Sequence, residues 1–64
     1  MDIGVVGLGL IGGSMAKTIR RSTPHTVLGT DTDPQVMYKA RLLEAIDGDL
    51  TDERLAICDI VFIA

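Results

Sequence analysis

Three glycines, at positions 7, 9 and 12, constrain the fold of this 64-residue chain more than any other feature of its sequence. Residues 3–6, directly before them, are apolar and mostly β-branched, which is typical of a strand buried on both faces. After them, over residues 10–21, Ile11, Met15 and Ile19 recur at the spacing of an amphipathic helix. The glycines therefore form a tight connection from a strand to a helix.

Strands and helices continue to alternate along the chain. We expect a second strand at residues 26–30, a helix from Pro34 to about Glu44 with Asp33 as its N-cap, a third strand stub at Ala45 and Ile46, a helical turn starting at residues 51–53, and a buried strand at residues 60–63. This alternation predicts the α/β class, with a parallel sheet of strand order 3-2-1-4. About two more strands normally follow in a doubly wound sheet, so residues 1–64 are interpreted as the N-terminal part, about four strands, of a larger domain.

The glycines have the spacing of a dinucleotide-binding loop, Gly-x-Gly-x-x-Gly, in the strand–loop–helix context that this function requires. The predicted binding segment is Gly7, Leu8, Gly9, Leu10, Ile11 and Gly12. In such a Rossmann-type loop the first glycine allows the turn, the second lets a pyrophosphate approach the backbone, and the third lets the helix pack closely. The amides of Leu10 and Ile11 lie at a helix N-terminus, where free N–H groups and the helix dipole favour phosphate.

Asp31 ends the second predicted strand, 19 residues after Gly12, close to the spacing of about 20 typical of the acid that binds an adenosine ribose. Its negative charge would repel a 2′-phosphate, and its neighbours Thr32 and Asp33 provide no cation. The sequence therefore predicts NAD as the cofactor in preference to NADP. Two plainer interpretations remain open: the glycines form only a turn, or Asp31 is an ordinary turn aspartate.

Composition excludes several classes of function. The net charge of −3 disfavours binding to nucleic acid or to an anionic membrane surface, and no apolar run is long enough to span a bilayer. The single cysteine, Cys58, cannot form an internal disulfide, which favours a cytoplasmic setting. His25 is predicted to be a solvent-exposed turn residue and Cys58 a small core residue, while Ser14 is only a candidate phosphate contact. We expect no catalytic residue and no metal site within these 64 residues.

The run from Gly7 to Ala16, Gly-Leu-Gly-Leu-Ile-Gly-Gly-Ser-Met-Ala, resembles the opening of prephenate and arogenate dehydrogenases. Gly29-Thr30-Asp31 is similar to the end of that family's second strand, and residues 59–64 are similar to its fourth. The resemblance implies an NAD-dependent oxidative decarboxylation of prephenate or arogenate on the route to tyrosine. It also implies that the catalytic residues and a helical domain that forms a homodimer lie outside this chain.

Two other families are similar in part. Nucleotide-sensing Rossmann domains, which bind NAD without turnover, share the glycine spacing and an Asp-x-Asp-Pro turn, here Asp31 to Pro34. The β-hydroxyacid dehydrogenases share the same loop but usually have Met where this chain has Ile11. The pair Leu10-Ile11, together with the doubled glycine at position 13, favours the prephenate and arogenate dehydrogenases.

Overall fold

The computed structural model describes all 64 residues and contains one parallel sheet of four strands. The elements are β1 (Asp2–Val6), α1 (Leu10–Ser22), β2 (Thr26–Thr30), α2 (Pro34–Leu42), β3 (Gly48–Asp49), α3 (Asp52–Leu55) and β4 (Ile60–Ile63). The strand order is β3-β2-β1-β4, and all neighbouring pairs are parallel. The predicted α/β class and the predicted strand order are both confirmed.

The first strand lies in the interior of the sheet and is paired on both sides. Val6, its last residue, lies beside Thr30 of β2 and Ile63 of β4. Because parallel strands end at the same edge of a sheet, the loop that follows β1 lies between the ends of β2 and β4. This register places the glycine loop next to both Asp31 and Ala64.

One face of the sheet is covered by α1 and α2, and the main apolar core lies beneath them. The buried cluster consists of Val5, Leu8, Ala16, Val27, Ala40, Ala45 and Ile46, with Met15, Ile19, Val36 and Met37 packed against it. Val5 of β1 and Val27 of β2, on neighbouring strands, have no exposed surface. Met15 of α1 and Met37 of α2 thus fill space at the border of the core.

The buried face of α1 differs from the predicted one at its start. Ile11 was expected on the apolar face, but 79% of its surface is exposed. Gly12 and Ala16 are buried instead, with Met15 and Ile19 at their side. In the first turn of α1, Gly12 is the residue that packs against the preceding loop, and the neighbouring Ile11 therefore points outward.

The two later helices begin with capping residues. Asp33 accepts a hydrogen bond from the Gln35 amide through its side chain at 2.9 Å, and Pro34 is the first residue of α2, as predicted. Thr51 likewise accepts from the Arg54 amide and begins α3, which confirms the predicted helical turn.

The end of α2 is a tight turn with a non-glycine residue in the left-handed region. Glu44 has φ = 56°. Its amide donates to the Arg41 carbonyl at 3.1 Å, and the amide of Ala45 donates to the Ala40 carbonyl at 2.9 Å. This pair of bonds forms a Schellman motif, in which the residue with the left-handed conformation is usually glycine.

The third strand does not lie where the sequence predicted it. Ala45 and Ile46 are buried in the core but form no strand, and β3 is Gly48–Asp49, which pairs with Leu28 and Gly29 of β2. The turn at Glu44 carries the chain into the core before it reaches the edge of β2. Apolar character at positions 45 and 46 therefore reflects burial under a helix and not strand pairing.

The strand β4 forms as predicted but is not buried. Its residues Ile60, Val61, Phe62 and Ile63 are 40%, 37%, 38% and 82% exposed. It pairs only with β1 and occupies the edge of the sheet, beyond the helices that cover the other strands. No helix in the structure is long and apolar enough to cross a membrane.

Candidate functional site

The loop between β1 and α1 is held by its backbone to the strands on either side. The Gly7 amide donates to the Thr30 carbonyl at 2.8 Å, and the Ala64 amide donates to the Val6 carbonyl at 2.9 Å. Gly7 has φ = 94°, a conformation that side chains other than glycine rarely adopt. The sharp turn at the end of β1 thus depends on the first glycine of the motif.

The third glycine of the motif is required by packing. Gly12 is buried in the first turn of α1, and a Cβ atom at this position would overlap the carbonyl oxygen of Gly7. The same Cβ would lie 3.1 Å from the Cβ of Ala64. Gly12 therefore lets the helix approach the loop and the end of β4 more closely than any other residue allows.

The second glycine has no such explanation within the chain. Gly9 is exposed, its backbone is extended (φ = −68°, ψ = −156°), and a Cβ built on it would meet no atom within 4 Å. Neither backbone conformation nor internal packing requires glycine here. The open space above Gly9 is where a ligand would approach the backbone, so the missing side chain fits a binding role better than a folding role.

The N-terminus of α1 offers free hydrogen-bond donors beside Gly9. No side chain caps this helix, and its first turn contains no acidic residue. The amides of Leu10 and Ile11 donate to no acceptor in the chain, while their side chains are 89% and 79% exposed. Free amides at the positive end of a 13-residue helix form an arrangement suited to an anion such as a phosphate.

Leu8 has a different role from its neighbours in the loop. Its side chain is 5% exposed and belongs to the core cluster, which anchors the loop to the sheet. Its amide donates to the Asp31 carboxylate at 2.8 Å and is thus already engaged. The sequence placed Leu8 in the binding segment but did not predict this bond.

Asp31 connects the end of β2 to the glycine loop. One carboxylate oxygen accepts from Leu8, and the other accepts from the Asp33 amide at 2.9 Å. These bonds, that from Asp33 first, lower the pKa of Asp31 below its ordinary value, so the group is ionised near neutral pH. Two such oxygens have about four acceptor positions, which leaves capacity for hydroxyl groups of a ligand.

No cation neutralises Asp31. The two ion pairs of the structure, Arg20–Asp47 and Arg41–Asp49, lie elsewhere. The negative charge beside the loop is therefore uncompensated by any side chain.

Of the remaining candidates, His25 and Cys58 lie away from this loop and Ser14 lies beside it. His25 precedes β2 at the opposite end of the strands, and it is half-buried where the sequence predicted a solvent-exposed residue. Its Nδ1 lies 3.0 Å from the terminal amine of Met1. Cys58 precedes β4 and is half-buried; burial, followed by the charges of Asp2 and Asp59, raises the pKa of its thiol. Ser14 is exposed in α1 beside Gly9, and its side chain makes no hydrogen bond within the chain.

The structure as a whole is similar to the crystal structure of an arogenate dehydrogenase from Synechocystis. The TM-score is 0.85 and the sequences are 38% identical, over 98% of this chain and 23% of that protein. No family model and no curated protein sequence matches the chain. This chain therefore spans less than a quarter of the length of the dehydrogenase that it matches. In fold and in sequence, it matches the N-terminal part of a dehydrogenase of the prephenate and arogenate dehydrogenase family.

Proposed function

We propose that residues 1–64 are the NAD-binding segment of a prephenate or arogenate dehydrogenase, an enzyme of tyrosine biosynthesis. The observation that carries the proposal is the open space at Gly9. Neither packing nor backbone conformation requires a glycine there, and the space lies beside the free amides at the start of α1. The similarity to an arogenate dehydrogenase over nearly the whole chain supports the choice of family.

The described residues fit a dinucleotide in three ways. Gly9 leaves space for a pyrophosphate to approach. The amides of Leu10 and Ile11 are free to donate to its oxygens, and the helix dipole favours its charge. The Asp31 carboxylate, fixed by two amides, is oriented to accept hydrogen bonds from the hydroxyls of a ribose.

This segment binds and orients; it does not react. NAD, held by the glycine loop and Asp31, would supply the hydride acceptor for an oxidation in which the substrate also loses carbon dioxide and its ring becomes aromatic. We assign no general acid, general base or nucleophile to the side chains near the glycine loop, and we give the Asp31 carboxylate, held by two amides, to ribose binding. We therefore assign the substrate site, the proton-transfer groups and the dimer contacts to parts of the enzyme beyond residue 64. We also assign the enzyme to the cytoplasm, which its single free cysteine favours.

The charge of Asp31 favours NAD over NADP. A 2′-phosphate would lie close to an ionised carboxylate that no arginine or lysine neutralises. Repulsion between two such charges, although partly screened by water, disfavours the phosphate at contact distance.

Titration of the full-length protein with NAD and with NADP tests this proposal. We expect tighter binding of NAD. Asp31→Asn, which removes the charge but keeps an acceptor oxygen, should narrow the difference in affinity between NAD and NADP. Asp31→Ser should weaken NAD binding further. Asp33→Asn is the matched control, because it removes a neighbouring charge and retains a side chain that caps α2. Tighter binding of NADP by the unaltered protein would overturn the choice of cofactor.

The reaction is tested separately by following NADH formation with prephenate and with arogenate. Turnover with either one supports the proposal and identifies the substrate. If NAD binds and neither compound is oxidised, the chain belongs to a nucleotide-sensing protein or to a dehydrogenase of another specificity, such as a β-hydroxyacid dehydrogenase.

A further inference from the structure

Ala64, the residue that follows β4, lies beside the glycine loop, close to Gly7 and Gly12. Its amide donates to the Val6 carbonyl at 2.9 Å, which holds it in register with the last residue of β1. A Cβ atom on Gly7 would lie 2.8 Å from the carbonyl oxygen of Ala64, and one on Gly12 would lie 3.1 Å from its methyl group. The single residue after β4 thus lies close to both glycines that the loop needs for its shape.

We propose that Ala64 is a positioning residue for the cofactor, which supports the glycine loop and the first turn of α1 so that their free amides point at the ligand. This inference rests on the proposed function for its ligand but on contacts within the chain for its mechanism. The loop is bonded to β2 through the Gly7 amide, and on the other side the methyl of Ala64 lies near the position that a Cβ atom on Gly12 would take.

The size of the side chain at position 64 is the property that matters. A carbon added between Gly12 and the methyl of Ala64 would be crowded, because a Cβ atom built on Gly12 would lie only 3.1 Å from that methyl. Ala64 is otherwise exposed, so a larger side chain at position 64 disturbs Gly12 when its added carbons point toward the helix. A serine can turn its hydroxyl away from Gly12. A valine fills two of the three staggered positions about its Cα–Cβ bond and has less freedom to do so. Displacement of Gly12 would move the amides of Leu10 and Ile11 with it, because all three lie in one helical turn.

The test compares Ala64→Val and Ala64→Ser in the full-length protein, with Ala56→Val as a matched control at an exposed alanine after α3. Two measurements are made: NAD affinity by calorimetry, and hydrogen exchange of residues 8–13 without ligand. We expect Ala64→Val to weaken NAD binding about tenfold and to speed hydrogen exchange of the loop amides. Ala64→Ser and Ala56→Val should change neither measurement by more than about twofold. Turnover at saturating NAD should be largely retained, so that the effect falls on KM more than on kcat.

The outcomes separate this proposal from a direct contact with the ligand. Weaker NAD binding by Ala64→Val with unchanged loop exchange would mean that the side chain only obstructs the ligand, and would overturn the proposal, as would no change in either measurement. If Ala64→Val does not fold, Ala64→Gly replaces it; loss of the methyl should also speed loop exchange, and its failure to do so refutes the idea. If the unaltered protein binds no NAD, the proposed function fails, while the exchange data still decide whether Ala64 positions the loop.

Discussion

Replacing Gly9 by alanine separates the binding role of the loop from its folding role. The added methyl meets no atom within 4 Å, and the backbone angles are extended, so no strain arises in the free protein. Alanine lowers the entropy of the unfolded chain, which stabilises by about 0.4–1 kcal/mol. It is also a poorer N-cap than glycine, which costs roughly the same amount. The two effects offset, and the free energy of unfolding should change by less than about 0.5 kcal/mol.

The affinity for NAD should fall much further. The methyl would occupy the space through which a pyrophosphate reaches the free amides, and we expect a loss of at least tenfold, or about 1.4 kcal/mol. Gly12→Ala is the informative comparison, because its methyl overlaps the Gly7 carbonyl oxygen within the protein itself. Overpacking of this kind destabilises by about 1–3 kcal/mol.

Urea unfolding and calorimetric titration of the full-length protein measure both quantities. The expected pattern is a stable Gly9→Ala variant that binds NAD poorly and a destabilised Gly12→Ala variant. A folded Gly9→Ala variant with unaltered NAD affinity would refute the reasoning, because the loop would then be only a turn.

Three further predictions concern stability and the isolated chain. Glu44→Gly should stabilise the fold by about 0.5–1 kcal/mol in urea unfolding, because glycine adopts the left-handed conformation without the penalty that glutamate incurs; a decrease in stability would contradict this. The pKa of Asp49 is lowered, chiefly by its hydrogen bond from Arg41, so the stability from this pair is complete above the ordinary carboxyl pKa of 3.8 and is lost as the pH falls through the lower pKa of the folded state. The free energy of unfolding, measured from pH 6 down to about pH 2, should show this loss. Asp49→Asn should reduce the loss; if the stability of the variant depends on pH in the same way, the pair is excluded as the source. Residues 1–64 alone should form no NADH from prephenate or arogenate and should self-associate through the exposed edge of β4, which Ile63→Lys should suppress in sedimentation experiments; turnover by this chain would mean that it contains catalytic residues.

Much of the fold was predictable because the glycine motif links local and long-range structure. A strand that ends in Gly7 and a helix that begins near Gly9 determine a right-handed crossover, and the following strand and helix repeat it. The cap at Asp33 was visible because Asp-Pro is a strong start signal for a helix. Such features depend on residues close in sequence.

The features that sequence reasoning missed depend on contacts between distant residues or on one unusual backbone angle. Ala45 and Ile46 have the composition of a strand, and only the left-handed turn at Glu44 shows that they belong to the core. Ile11 matches the helical period, but its exposure follows from how closely Gly12 approaches the loop. The bond from Leu8 to Asp31 spans 23 positions and has no local signal.

The pairing of β1 with β4 has a consequence for the order of folding. Asp2 and Asp59 are hydrogen-bonded to each other although they lie 57 positions apart, whereas β1 meets β2 across a single helix. Closing the longer loop is entropically more demanding, so β1, α1 and β2 are the elements expected to assemble first. During synthesis the glycine loop would then emerge early, and the support that we propose for Ala64 would be added only when β4 docks. If Ala64 positions the loop as we propose, cofactor binding and the docking of β4 are coupled, and a bound dinucleotide would favour the docked position of residues 60–64.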